Sequence, residues 1–462
     1  MKKISVEEVA KAVNGTILRR CGENFIDDVR TDSRECDGGD LFVAIAGERL
    51  DGHDYIPDAV RRGCRTVLVA HERRWPEATE DTALNVIKVD DAVYALGQLA
   101  KYYLASLDVV KVAVTGSVGK TTVRDMIYYV LSEKYRCGRN MKNYNNLIGL
   151  PLSVFAFDDS TQVVVLEMGM DRFGEIDRLA EIVKPNIAVI TNIGMSHIEN
   201  LGSRQGIFRA KMEIAGHITG SKRCPAALIF AQDEAFLTKE TTKGPYRQIS
   251  AGRDGRSDYI ISSVEDFGIE GIRFVMEHLQ ESCNISVPVP GLHNATNSCL
   301  AIAVGDLLGV TVDQARRGLS KTRLTGSRLR LLEGKRVRII DDTYNASPDS
   351  MKSALRVLER SEGRKIAVLG DMYELGEESL RQHLNIGVFA RSLGIDLLVA
   401  IGTDAAKIAE GASGGRLRTA YYEKKEDFCR DMNQYISDGD IILVKGSRGM
   451  KMEQIVETLL KF

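Results

Sequence analysis

The sequence has no paired cysteines, no long apolar run and no large excess of charge of either sign. Its eight cysteines are scattered singly and none forms a CxxC pair, so neither a zinc ribbon nor a disulfide framework is predicted. Reduced cysteines in a cytosolic protein are expected. No apolar stretch approaches the roughly 20 residues of a membrane span, and the N-terminus turns acidic where a signal peptide needs an apolar run. We therefore expect a cytoplasmic protein with no membrane span.

The charge balance and the length limit the class of protein further. A net charge of −2 leaves no basic excess to drive sequence-independent binding, so no nucleic-acid partner is expected. A local basic pocket for a phosphorylated small molecule stays compatible with this balance. A chain of 462 residues is too long for one ordinary core and suggests about three domains. We place them at 1–88, 89–325 and 326–462.

Short β-branched runs alternate with helical patterns along most of the chain. The runs in the central domain are Val109–Val114, Val163–Leu166 and Ile187–Ile190, and each ends in a polar loop. Strands that are apolar throughout and alternate with helices indicate a parallel sheet covered on both faces. We predict an α/β protein: a small N-terminal α/β domain, a central phosphate-loop domain with a mainly parallel sheet, and a C-terminal Rossmann-like domain. Ligands are expected beyond the carboxyl ends of the strands.

The strongest motif follows the run Val109–Val114 and reads Thr115-Gly116-Ser117-Val118-Gly119-Lys120-Thr121-Thr122. Glycines let backbone N–H groups turn towards phosphate oxygens, and the N-terminus of the following helix adds positive potential. Lys120 is predicted to reach the β- and γ-phosphates of ATP, and the Thr121 hydroxyl to bind Mg²⁺. Val114 stands where the usual loop has a glycine. This shorter spacing points away from common nucleoside triphosphatases.

Four further segments carry polar residues at predicted strand ends. Glu167 is placed to hold Mg²⁺ beside the phosphate loop, and His197 follows the run Ile187–Ile190. The segment 341–348, directly after a run at 337–340, suits ribose or substrate contacts, and the segment 445–449 suits an anion. A plain loop is the competing interpretation of the last segment. Charge alone predicts that Lys211, on an amphipathic helix, is exposed.

These residues, in this order, resemble the Mur ligase family over essentially the whole chain. The matching segments are 31–34, 38–44, 47–54, 115–122, 143–151, 167–169, 174–176, 197–202, 210–214, 293–297, 342–346, 370–376 and 445–448. The segments 370–376 and 445–448 separate this member from ligases that add single amino acids. One departure is at 170–173, where Met170-Asp171-Arg172-Phe173 lacks the usual Asn-His pair. Any role of position 172 is therefore open, although a cation is kept there.

The resemblance implies ATP-dependent joining of D-alanyl-D-alanine to UDP-N-acetylmuramoyl-tripeptide through an acyl phosphate, by an expected monomer. It implies two Mg²⁺ ions, one held by Thr121 and Glu167 and one by His197 and a Lys211 carbamylated by CO₂. Lys120, His197 and Lys211 are the implied catalytic residues. The implied ATP-binding residues are Thr115, Gly116, Ser117, Val118, Gly119, Lys120, Thr121, Thr122, Asn294, Asn297, Arg328, Asp342, Tyr344 and Asn345. The implied substrate-binding residues are Ser33, Arg34, Gly47, Asn143, Asn145, Asn146, Asp371, Lys445, Ser447 and Arg448.

Two rival functions remain. Another Mur-type or folate polyglutamate ligase is the nearer one; the UDP-sugar-like first domain argues against folate, and the Asp371 motif against single-residue addition. A phosphate-loop kinase or nucleotide switch is the rival from another class. Dependence of ATP hydrolysis on both peptide substrates discriminates between the ligase and this last rival.

Overall fold

A computed structural model describes residues 1–22, 25–71, 83–141, 143–232 and 235–462. The described chain divides into two compact units. The first unit comprises 1–113, 135–170 and 174–186, and the second comprises 114–134, 171–173 and 187–462. Among the described residues, no helix combines the length and the apolar character that crossing a membrane requires.

The N-terminal part is a small α/β arrangement. Its larger sheet has the order β2-β7-β6-β5-β4, in which the last four strands are parallel, and β1 pairs with β3 in a separate ribbon. The elements are β1 Ile4–Ser5, α1 Val6–Ala12, β2 Thr16–Arg19, β3 Phe25–Ile26, β4 Asp28–Arg30, β5 Asp40–Val43, α2 Ile56–Arg61, β6 Thr66–Val69 and β7 Asn85–Lys88.

The central part contains a nine-stranded sheet of order β16-β15-β14-β13-β12-β11-β8-β10-β9. Its strands are β8 Val110–Thr115, β9 Cys137–Arg139, β10 Val163–Glu167, β11 Ile187–Ile190, β12 Ala227–Ala231, β13 Arg247–Gly252, β14 Tyr259–Asp266, β15 Ile272–His278 and β16 Glu281–Val287. The helices are α3 Ala92–Ala105, α4 Lys120–Ser132, α5 Gly149–Val154, α6 Glu175–Val183, α7 Ile198–Leu201, α8 Arg204–Met212, α9 Asn294–Leu307 and α10 Val312–Ser320. The antiparallel strands predicted between 252 and 282 are present as β14 and β15, and a third antiparallel strand, β16, extends beyond that stretch.

The C-terminal sheet has six strands in the order β17-β18-β22-β19-β20-β21, and only β17 is antiparallel to its neighbour. The elements are β17 Arg330–Glu333, β18 Arg338–Asp342, α11 Pro348–Arg360, β19 Lys365–Gly370, α12 Ser379–Arg391, β20 Leu397–Ile401, α13 Ala406–Ala412, β21 Arg418–Tyr422, α14 Lys425–Asp431, β22 Ile441–Lys445 and α15 Glu453–Lys461.

Both faces of the C-terminal sheet are covered, as a parallel sheet requires. Successive side chains of a strand point to opposite faces, so Ile340 packs in one core and Ile339 in the other. The same alternation separates Leu443 from Ile442. This sheet has the predicted Rossmann-like layering, and the α/β fold class is confirmed.

The strand order of the C-terminal sheet brings distant segments together. Strands β18, β22 and β19 are neighbours, although more than 100 residues of chain separate the ends of β18 and β22. The loops after these three strands carry Asn345, Ser447 and Glu374. In a doubly wound sheet this reversal of strand order opens a crevice at the carboxyl edge.

One strand boundary differs from the prediction in a way that matters for the site. Asp341 and Asp342 are the last residues of β18 rather than the first residues of the following loop. They lie beside Val444 and Lys445 in β22, and this pairing extends the strand beyond its apolar run. The alternating apolar pattern alone did not reveal that two acidic residues continue the ladder.

A buried ion pair connects α4 to the chain that leads into the C-terminal sheet. The Arg124 guanidinium donates to Asp125 Oδ1 at 2.6 Å, and both side chains are almost completely buried. The hydroxyl of Thr325 donates to Asp125 Oδ2 at 2.6 Å. Asp125 therefore neutralises a buried cation and holds the chain at Thr325.

We predict that Asp125→Ala destabilises the protein by about 3–5 kcal/mol, because it removes the buried carboxylate that pairs with Arg124 and accepts from Thr325. The midpoint of urea denaturation, followed by circular dichroism, measures the loss. The control is Asp313→Ala, which removes an ion pair with Arg316. The Asp313 side chain is 76% exposed. The control should leave the midpoint nearly unchanged, because exposed pairs contribute little. Equal midpoints for the two variants would contradict the prediction.

Candidate active site

The phosphate loop, Thr115–Thr122, joins β8 to α4 through two glycines with left-handed backbone. Gly116 has φ +150° and Gly119 has φ +83°, and Gly119 is the N-cap of α4. A side chain at Gly116 would collide with the Thr191 hydroxyl. The Lys120 ammonium folds back over the loop and donates to the carbonyl of Gly116 at 2.9 Å. A glycine-containing loop that ends at a helix N-terminus, with a lysine ammonium lying over the loop, is a phosphate-binding arrangement.

Two residues that the sequence analysis did not select hold this loop in shape. The Thr191 hydroxyl donates to the Val118 carbonyl at 2.6 Å, and the Asn192 side chain both donates to that carbonyl and accepts from the Val118 N–H. The N–H of Ser117 donates to the Asn192 carbonyl. Thr191 and Asn192 follow β11, which neighbours β8 in the sheet order. Their position at a strand end next to the phosphate loop was the available signal.

The predicted adenine-side asparagines lie at the start of α9. Asn297 donates to Asn294 Oδ1 at 2.7 Å, and Asn294 donates to the Pro290 carbonyl at 2.7 Å. A Cβ built at Gly119 would stand 3.4 Å from the Asn297 amide. The structure therefore brings Asn294 and Asn297 together beside the phosphate loop.

The predicted nucleotide contacts of the C-terminal part form a second group. The Lys445 ammonium lies 2.6 Å from Asp342 Oδ2 and donates to the Asn345 carbonyl at 2.8 Å. Burial raises the pKa of the Asp342 carboxyl, although the Lys445 ammonium acts in the opposite direction. The Arg328 guanidinium stacks over the Tyr344 ring at 3.6 Å. Asp342, assigned from sequence to nucleotide, and Lys445, assigned to substrate, are thus each other's partners.

A cavity of about 170 Å³ lies between the phosphate loop and the C-terminal sheet. His197 enters it from the loop after β11, with its backbone in the left-handed region at φ +64°. Its Nδ1 atom lies 2.7 Å from Glu374 Oε2 and 3.1 Å from Asp171 Oδ1. The geometry at Nδ1 does not meet that of a hydrogen bond to either oxygen, so both contacts are close approaches rather than hydrogen bonds. The lining residues are Ser117, Lys120, Ser196, His197, Asn345, Ala346, Ser347, Tyr373, Glu374, Leu375, Ser447, Arg448 and Gly449.

The cavity is lined by the basic side chains of Lys120 and His197 and by the Glu374 carboxylate. His197, with a smaller contribution from Lys120, lowers the pKa of the Glu374 carboxyl, against the opposing effect of partial burial. Glu374 stands in the segment 370–376 identified from sequence, but only Asp371 was selected from it. Its contact with His197 depends on tertiary structure and had no local signal.

Lys211 is buried to 1% exposure, contrary to what its charge alone predicts. Desolvation lowers the pKa of its amine far below the usual range, and the Lys120 ammonium adds to this effect. Among the residues that the structure describes, none forms a hydrogen bond or an ion pair with the Lys211 amine. A buried, unpaired lysine beside another cation is held neutral or must be converted to another species.

Glu167 ends β10 and is 2% exposed. Its Oε1 atom accepts from the Asn145 side chain at 2.8 Å, and its backbone is bonded on both sides to Asn140. Asn146 accepts from the N–H of Gly149 at the start of α5. Asn145 thus contacts the predicted metal ligand, whereas Asn146 fixes local backbone. Asn143 is exposed in the same loop.

The predicted substrate residues of the N-terminal part lie on two loops. Ser33 and Arg34 are in a 3₁₀ turn that the Asp32 side chain caps. The Arg34 guanidinium holds the pKa of the Asp32 carboxyl at about 2. Gly47 begins a tight turn in which its N–H donates to the Leu50 carbonyl. Ser33 is buried, whereas Arg34 and Gly47 are exposed.

The remaining predicted substrate residues follow β19 and β22. Asp371 is buried, and its Oδ1 atom accepts from the N–H of Ala405 at 2.7 Å. The Ser447 hydroxyl accepts from the N–H of Tyr373 at 2.8 Å, which joins the two loops. The Arg448 side chain is 65% exposed and reaches Glu453. Of the three, Arg448 presents the most accessible charge at the cavity.

Comparisons with known proteins agree with this geometry. Three family profiles match in chain order: "Mur ligase family, catalytic domain" at 26–104, "Mur ligase middle domain" at 114–305, and "Mur ligase, glutamate ligase domain" at 327–448. The UDP-N-acetylmuramoyl-tripeptide–D-alanyl-D-alanine ligase of Bacillus subtilis is 40% identical over 467 residues, covering 100% of this chain and 99% of that protein.

Solved structures give the same result. A crystal structure of MurF from Acinetobacter baumannii superposes with a TM-score of 0.90 at 30% identity, covering 100% of this chain and 99% of that one. MurF ligase from Thermotoga maritima, solved in complex with ADP, superposes with a TM-score of 0.81 at 30% identity, covering 94% and 97%. With three profiles matched in order and a full-length relative, this chain belongs to the Mur ligase family.

Proposed function

We propose that this chain joins D-alanyl-D-alanine to UDP-N-acetylmuramoyl-tripeptide in the cytoplasm, with hydrolysis of ATP to ADP and phosphate, during peptidoglycan precursor synthesis. The observation that carries the proposal is the cavity in which Lys120 and His197 face Glu374, Ser447 and Arg448. The full-length relatives named for this reaction support the choice of substrates. We expect the protein to act as a monomer.

The reaction proceeds in two steps. A carboxylate oxygen of the tripeptide attacks the γ-phosphorus of ATP, the bond to ADP breaks, and an acyl phosphate forms. The amine of D-alanyl-D-alanine then attacks the acyl carbon, the C–O bond breaks, and phosphate leaves as the amine loses a proton. Lys120 and the N–H groups of the phosphate loop bind the transferred phosphate, and Arg448 is positioned to receive a peptide carboxylate. Positioning and charge stabilisation provide most of the rate.

We infer that segments from the C-terminal sheet exclude water from the reacting groups once the substrates are bound. Tyr373 and Leu375 line the cavity beside Lys120, and Leu375 is buried in the C-terminal core. Ile198, next to His197, packs against the same core. Water excluded in this way cannot hydrolyse the acyl phosphate.

Magnesium ions fit the side chains that are present. Thr121, the second residue of α4, is buried, and Glu167 and His197 supply a carboxylate and an imidazole. When bound, Mg²⁺ would neutralise charge on the phosphates. We propose Thr121 and Glu167 for one ion, and His197 with Lys211 for the other.

Lys211 suits carbamylation for a physical reason. Only a neutral amine attacks CO₂, and burial lowers the pKa of this amine, which favours its neutral form. The resulting carbamate is an anion, so it would be attracted by the Lys120 ammonium and would supply an oxygen ligand. The absence of a competing carboxylate partner within the described residues supports this role.

We predict that Lys120→Ala lowers ligase turnover more than about 100-fold, because it removes a cation that stabilises charge on the transferred phosphate. Coupled phosphate release measures turnover, and circular dichroism checks the fold. Lys335→Ala, at an exposed lysine, is the control and should match the parent. A folded Lys120→Ala protein with near-parental turnover would refute the role of the loop.

We predict a loss of similar size for Lys211→Ala, partly restored by acetate or formate. A short acid fills the space and replaces the carbamate anion, whereas Lys211→Arg fills the space with a cation and should not respond. Turnover with and without added acid is the measurement. Full turnover of the parent protein in bicarbonate-free buffer at low pH would argue against the carbamate.

We predict that ATP hydrolysis requires the UDP-tripeptide and D-alanyl-D-alanine together, because the amine releases phosphate from the acyl intermediate. Phosphate release is measured with both substrates, with each one alone and with neither. Running the assay with lysine- and diaminopimelate-containing tripeptides also identifies the third residue. Rapid hydrolysis with neither substrate would favour a kinase-like or switch function instead.

A further inference from the structure

A loop that follows a strand of the C-terminal sheet places one carboxylate next to His197. Glu374 follows β19, and its Oε2 atom lies 2.7 Å from His197 Nδ1. The Asp171 carboxylate approaches the same nitrogen at 3.1 Å. Within the described residues, these three side chains form one of two groups whose candidate ligand atoms all lie within 4.8 Å of one another.

The backbone on both sides of this contact is held in place. His197 and Glu374 each have a backbone φ of +64°, a left-handed conformation that residues other than glycine rarely adopt. The N–H of Glu199 faces the Glu374 carbonyl at 3.5 Å, and Leu375 is buried directly after it. The backbone that carries the Glu374 carboxylate is therefore held in place, and the carboxylate itself is 49% exposed.

The chemistry of imidazole indicates which ring nitrogen of His197 is available to a metal. A histidine that binds a metal through one ring nitrogen commonly donates the N–H of the other nitrogen to a carboxylate, which fixes the ring and makes it a stronger ligand. Two carboxylates face Nδ1 here, so Nε2 is the nitrogen left for a metal.

We propose that Glu374 is a positioning residue that orients His197 for the second Mg²⁺ ion, so that docking of the C-terminal sheet strengthens binding of that ion. Asp171 contributes a second carboxylate from the segment that departs from the usual family pattern. The inference depends on the proposed function only in requiring a metal at His197. It predicts that the ion and the docked C-terminal sheet favour each other, because coupling of this kind is reciprocal.

The test counts Mn²⁺ ions bound to the full-length protein in the presence of ADP, by electron paramagnetic resonance. The parent should bind two ions. Glu374→Ala should weaken the second ion about 10–100-fold and leave the first unchanged, as loss of an outer carboxylate does at other metal-binding histidines. Glu374→Gln, whose amide oxygen can face His197 Nδ1 in the place of the carboxylate, should lose less. The matched control is Glu377→Ala, an exposed glutamate three residues along the chain.

Turnover gives an independent readout. The Mg²⁺ concentration for half-maximal ligase activity should rise by a similar factor in Glu374→Ala, and saturating Mg²⁺ should restore most of kcat. A residue with a purely structural role would lower kcat at every Mg²⁺ concentration, and this result would overturn the inference.

Two other results would also overturn it. Unchanged affinity for the second Mn²⁺ ion in folded Glu374→Ala would do so while leaving the proposed ligase function intact. Equal losses in Glu374→Gln and Glu374→Ala would indicate direct ligation in place of positioning. If the parent itself binds a single ion, the two-metal part of the proposed function fails together with the inference.

Discussion

The site depends on the proximity of two lysine side chains, Lys120 at the phosphate loop and the buried Lys211. Lys120 lies over the phosphate loop, and the buried Lys211 amine is close enough for the two to repel each other. Burying the charged form of the Lys211 amine is unfavourable, so the folded protein gains stability from anions that fill the site. Phosphates of ATP and a carbamate on Lys211 meet this requirement. The electrostatics thus favour a reaction in which ATP, an acyl phosphate and released phosphate occupy the site.

The topology of two sheets with mainly parallel strands explains why the reacting groups meet. Each sheet places its polar loops at the carboxyl ends of its strands, and the order β18-β22-β19 gathers three such loops at one edge. Asn345, Ser447 and Glu374 come from these loops and line one cavity with Lys120. A site divided between a phosphate-binding loop and a second sheet can be assembled and opened as substrates enter and products leave.

Sequence patterns predicted the parts of this site whose signals are local. The phosphate loop combines a strand, glycines and a helix start, and His197 follows an apolar strand, so the amino-acid sequence alone identifies both. Long-range pairings leave no such local signal. The partnership of Asp342 with Lys445, the support of the phosphate loop by Thr191 and Asn192, and the contact of Glu374 with His197 each join segments far apart in sequence. The burial of Lys211 depends on how α8 packs, and its charge gave the opposite expectation.

The departure at Asp171 and Arg172 has a physical interpretation in these contacts. The usual family pattern has an amide and an imidazole there, whereas this chain has a carboxylate 3.1 Å from His197 Nδ1. A carboxylate attracts the imidazole N–H more strongly than an amide does. Because Asp171 is 66% exposed, its share is screened by solvent, and the less exposed, backbone-anchored Glu374 has the stronger effect. The substitution therefore adds to the orientation of His197 without replacing the carboxylate that the C-terminal sheet supplies.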